Sequence, residues 1–241
     1  MKTNKLLFLL LTFLFFMPSD LGAYDLVAQD HTLIMETGVK NIDFILSVLP
    51  SSKFQSAGEV LAAMLSLQNV ESDVKHKIEV ALQFLPKIEP IETKLSVTER
   101  EAIDVIIKQI DRCSTLPEMV TTLRTIKDSN EYNQIEGINT GIEFAINILN
   151  DGAGTIYNQD WLSQNNPLGG ENYINWKKIA QRDIEGGAIG CAISCAIVGA
   201  LGCPGGAVGG ATSGAGVGAT SMSVVALVGE AGRSSLGPSN D

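Results

Sequence analysis

Between Gly186 and Gly229 the chain runs for 44 residues without an Asp, Glu, Lys, Arg or His, and 13 of those residues are glycine. No other feature restricts the fold so tightly. Read in steps of four, one row is Gly186, Gly190, Ser194, Val198, Gly202, Gly206, Gly210, Gly214 and Gly218. The adjoining row is Gly187, Cys191, Cys195, Gly199, Cys203, Ala207, Ala211, Ala215 and Ala219. Residues four apart share a helix face, so a helix here carries two neighbouring stripes almost bare of side chains. Each glycine inside a helix costs about 0.8–1 kcal/mol relative to alanine, so ten cost about 8–10 kcal/mol, comparable with the stability of a whole domain. A water-exposed helix would not survive that. The segment packs backbone against backbone, or lies in lipid, where an unpaired backbone is worse still, or is not helical. The four-residue regularity over nine steps favours the packed helix.

Cys203-Pro204-Gly205-Gly206 is the natural break, because Pro204 removes a backbone donor. The expectation is a helical hairpin over residues 176–230, with arms from Trp176 to Leu201 and from Ala207 to Glu230. Gly186, Gly190, Gly202, Gly206, Gly210, Gly214 and Gly218 form its packing face. Trp176, Lys177, Lys178 and Arg182 stand just before the uncharged run and read either as a membrane-interface anchor of aromatic ring and snorkelling cations or as an ordinary solvated helix face. Cys191, Cys195 and Cys203 occupy the row otherwise filled by Gly and Ala. They read as small packing residues or, in an oxidising compartment, as a disulfide of Cys195 with Cys203. The spaced glycines after Trp176-Lys177-Lys178 resemble glycine-zipper hairpin proteins and, more loosely, class II bacteriocin-like peptides. The resemblance covers residues 176–230 and implies membrane insertion, self-association or both.

The rest of the chain has a different chemistry. Lys2 and Lys5 precede an apolar run from Leu6 to Met17, which reads as a signal peptide over residues 1–23, cleaved after Ala23. Residues 24–150 read as an α-helical domain of about six helices. Ser56 with Glu59, and Thr98 with Glu101, are capping boxes. Pro50 and Pro86 end helical runs, Pro117 suits a first turn, and Asp151-Gly152 closes the last helix. The Ile- and Val-rich segment from Ala102 to Ile110 is apolar on more than one face and reads as central. Residues 151–175 are a linker rich in Gly, Asn and Pro, and residues 231–241 a disordered tail. The fold class is all-α, an N-terminal helical bundle followed by a glycine-zipper hairpin.

Without residues 1–23 the chain keeps 15 basic and 26 acidic residues, a net charge of −11. That balance argues against nucleic acid as a partner. No catalytic constellation is legible. His31 and His76 lie on separate segments, Asp43, Asp104, Glu136 and Glu143 are scattered over helix faces, and Cys113 reads as a small buried hydrophobe. The GxGxxA pattern from Gly214 to Ala219 follows no strand, so it does not mark a nucleotide site. No metal or cofactor is expected, and no small-molecule substrate is identified. An enzyme would need a pocket holding histidine and acidic residues that only the fold brings together. The reading is a secreted or cell-envelope bacterial protein, not an enzyme, whose hairpin associates with membrane lipid or with itself. The alternative is a soluble binding or structural protein whose hairpin packs on its own helical domain.

Overall fold

The computed structural model of the chain describes residues 20–49, 56–88, 95–129, 132, 135–168, 174–199 and 208–235. Among these residues the fold is all-α, as expected, and no strand occurs. The elements are α1 (Asp20–Lys40), α2 (Ile42–Val48), α3 (Ala57–Leu65), α4 (Ser72–Ile88), α5 (Val97–Ile110), α6 (Leu116–Asp128) and α7 (Glu136–Asp151). A 3-10 turn at Gly152–Gly154 leads to α8 (Gln159–Asn165), α9 (Trp176–Gly199) and α10 (Val208–Ser235).

Several starts follow from local chemistry. At α3 the Ser56 hydroxyl accepts from the Glu59 amide at 3.2 Å, while the Glu59 carboxylate accepts from the Ser56 amide at 2.8 Å. At α5 the same box is built by Ser96 and Glu99, not by Thr98 and Glu101 as the spacing predicts. The two frames overlap by two residues. Once Ser96 caps the helix, Thr98 lies inside the first turn. Thr115 and Glu118 cap α6, with a proline in its first turn as expected. Gly152 is the C-cap of α7. Pro86 does not end α4, which continues to Ile88. Pro86 lacks the amide donor to the carbonyl four residues before it, and only two residues of helix follow it.

The centre of the molecule is made by the glycine-rich helices themselves. α9 and α10 share the most extensive helix–helix contact, and α9 lies next against α7. α10 also touches α1, α2, α3 and α4, so the N-terminal helices wrap the uncharged segment. Where burial is described, at residues 186–192 and 214–229, that segment is mostly enclosed, which suits its lack of charged residues. A second cluster of Ala28, Phe144, Ile148, Cys191, Ala215 and Ala219 fills the junction of α1, α7, α9 and α10. The segment from Ala102 to Ile110 buries one face rather than several: Ala102, Ile103, Ile106 and Ile110 lie in the core, while Val105 is 40% exposed.

Two boundaries differ from the sequence reading. Residues 151–175, expected as a linker, carry the 3-10 turn and α8, and bury Ile156, Tyr157, Leu162 and Ile174. The Gly and Asn signals there are real caps, because the Asn158 side chain accepts from the amides of Asp160 and Trp161. The tail expected from residue 231 begins as helix, since α10 reaches Ser235 and buries Ala231. Residues 1–19 of the expected signal peptide lie outside the described residues, and α1 opens at Asp20, so Ala23 falls in its first turn.

Candidate functional site

Of the expected packing row, Gly186 and Gly190 meet Gly218 and Gly214 inside the chain. A methyl carbon built on Gly186 would overlap the carbonyl of Gly218, and one on Gly190 the carbonyl of Gly214. The reverse holds for Gly218 against Gly186. α7 uses the same device on the other side of α9. A Cβ on Gly141 would stand 2.5 Å from the Ala188 Cα, and one on Gly137 2.6 Å from the Ala192 Cα. Only glycine permits these approaches. Gly202, Gly206 and Cys203 lie outside the described residues, as does the expected turn. Gly210 and Cys195 are placed in α10 and α9, but their surroundings lie outside the described residues.

The basic residues before the uncharged run are engaged with the protein. Lys178 pairs with Glu230 of α10 at 2.9 Å, and Arg182 with Glu185 at 2.5 Å. Lys177 donates to the Asp111 carbonyl at 3.0 Å, and Trp176 packs half-buried on the core.

Sequence reasoning missed a buried polar node. Asp183 of α9 is fully buried, and its Oδ2 accepts from the Tyr157 hydroxyl at 2.6 Å. Its Oδ1 accepts from Ser223 of α10. His31 of α1 places Nε2 at 3.0 Å from the same Oδ1, close but without the alignment of a hydrogen bond. The other ring nitrogen, Nδ1, stands 3.1 Å from the Thr220 hydroxyl. The node thus ties α1, α9, α10 and the segment after α7 together. A buried carboxyl group requires such partners, because burial without them costs several kcal/mol. Burial first, and the neighbouring Asp183 second, hold the Tyr157 phenol well above its usual pKa.

Local sequence carried a faint signal of this arrangement. Asp183 is spaced by four from Ile179 and Gly187, and His31 by four from Met35, so both interrupt apolar stripes. Nothing local says that the two meet, because the partners come from opposite ends of the chain.

His31 and Thr220 also border a cavity of about 240 Å³ between α1, α4 and α10. Ile34, Val80, Ala81, Gly216 and Val217 complete its walls, with Asp30, His76 and Lys77. Lys77 pairs with Asp30 at 2.6 Å and with Asp73 at 3.2 Å, and its ammonium is held above its usual pKa, chiefly by Asp30. The fold therefore unites both histidines with an acidic residue in one pocket. The order Thr220–His31–Asp183 matches the roles needed to activate a hydroxyl nucleophile. Its geometry does not: the Asp183 carboxyl is off the Nε2 axis and so does not fix the ring as such a triad requires. Among the described residues no group of three or more His, Cys, Asp or Glu side chains could hold a metal ion.

No protein-family model, curated protein or solved structure matches this chain.

Proposed function

We propose that this is an exported, non-enzymatic helical protein whose glycine-rich helices serve as the interior of the fold and whose role is to bind or scaffold rather than to catalyse. The observation that carries this reading is the backbone-to-backbone seam of Gly186 and Gly190 with Gly218 and Gly214, flanked by Gly137 and Gly141 against Ala192 and Ala188. Small-residue stripes need a close partner, and here the partner is the chain's own helices. The net charge of −10 favours a solvated exterior. The test is flotation with liposomes beside sedimentation in detergent-free buffer. This reading expects a monodisperse protein that stays in the soluble fraction.

A second reading keeps the membrane as partner, with the hairpin opening into lipid and self-associating. One observation favours it: Gly214–Gly232 is long and apolar enough to span a bilayer, although 72% of that window is buried within the protein. Flotation that resists a carbonate wash is the result this second reading expects.

A further inference from the structure

The cavity between α1, α4 and α10 is not used by the node that borders it, and its lining is chemically selective. Ile34, Val80, Ala81 and Val217 give it apolar walls. Its volume of about 240 Å³ exceeds the roughly 150 Å³ of an apolar cavity known to hold benzene. A ring or short aliphatic body with one added polar group therefore fits.

Charge at the mouth selects that polar group. Lys77 is the one lining residue with a fixed positive charge, and it is shared between two carboxylates, Asp30 at 2.6 Å and Asp73 at 3.2 Å. Asp30 and Lys77 balance within the lining, and Asp73, exposed just outside it, adds the second carboxylate that leaves the mouth net negative, in keeping with the chain's net −10. A carboxylate ligand would meet repulsion there. An ammonium ion would find Asp30, itself only partly exposed, beside an apolar pit that holds the rest of the molecule.

From this we infer that the cavity takes a small primary ammonium ion with an apolar body, the ammonium pairing with Asp30 in competition with Lys77. The inference rests on the folded, self-packed state proposed above, because α10 supplies one wall. Binding partly displaces the Lys77 ammonium from Asp30 toward Asp73. No covalent step is involved.

The chain has two histidines, and both border the cavity, so their imidazole NMR signals report on it directly. The probe is benzylammonium, with toluene as the neutral analogue and benzoate as the anion. Saturable shifts of both His31 and His76 are expected with benzylammonium, with benzoate and toluene binding more weakly. Asp30→Asn is expected to weaken benzylammonium about fivefold, the range of a partly exposed ion pair. Lys77→Met, which removes the competing ammonium, is expected to tighten it. Ala81→Leu fills the pit and is expected to abolish binding, with circular dichroism checking that each variant is folded. The inference is overturned if folded wild-type protein shows no saturable shift at millimolar benzylammonium. Equal binding of benzoate, or no effect of Asp30→Asn and Lys77→Met, overturns it as well. A protein that floats with liposomes contradicts the proposed function, whereas a soluble monomer that binds no amine contradicts this inference alone.

Discussion

A single methyl group separates the glycines that hold this fold from those that merely tolerate it. At Gly190 an added Cβ overlaps the Gly214 carbonyl, and backbone cannot rotate away as a side chain can. Overpacking of this kind costs about 1–3 kcal/mol, against a gain of up to about 1 kcal/mol from better helix propensity. Gly190→Ala is therefore expected to lower stability in urea unfolding. Gly229 and Gly232 have nothing within 4 Å of an added Cβ, and alanine at either is expected to raise stability by up to about 1 kcal/mol. Removing the hydroxyl in Tyr157→Phe leaves an Asp183 oxygen without its donor, a loss of about 1–3 kcal/mol. The raised Tyr157 pKa also sets a pH dependence. Above pH 10 or so, the unfolded chain loses this proton while the folded chain keeps it, so stability falls as pH rises. In Tyr157→Phe that part of the alkaline slope disappears, which unfolding measured across pH 9 to 11 or so would detect. The glycine rows were legible in the sequence because they are periodic. The node was not, because His31 and Thr220 are 189 residues apart and no local pattern pairs them.

At the scale of elements, helix starts were legible wherever one capping frame stood alone. Ser56 with Glu59 is such a case. Where Ser96-x-x-Glu99 overlaps Thr98-x-x-Glu101, the sequence reading takes the later frame and the structure selects the earlier one. Ser96→Ala is accordingly expected to cost about 1 kcal/mol in urea unfolding, while Thr98→Ala is expected to change stability by a few tenths. A larger loss at Thr98 than at Ser96 would contradict the assignment. The segment from Asp151 to residue 175 shows the opposite difficulty. Its Gly, Asn and Pro content reads as a connection, yet Ile156, Leu162 and Ile174 fill the core beside it. Turn chemistry and core contribution are compatible within one short stretch, and composition reports only the first.

For the whole molecule, the uncharged segment has two physical explanations, lipid and protein interior, and sequence alone does not separate them. Both demand close backbone packing and neither tolerates an unpaired charge. The fold resolves the geometry by wrapping α10 with α1, α2, α3 and α4 and by setting α9 between α10 and α7. Phe144 of α7 illustrates the fit, since a Cβ on Gly187 would come within 3.2 Å of its ring. Lys178 and Glu230 then close the outer end of the α9–α10 seam with an ion pair. Hydrogen exchange by mass spectrometry, in detergent-free buffer without lipid, tests the central claim most directly. If the glycine-rich helices are the interior, the amides of residues 179–192 and 214–228 exchange more slowly than those of α5 and α6. Fast exchange there, slowed only when liposomes are added, would contradict the account and place the interior of these helices in the membrane.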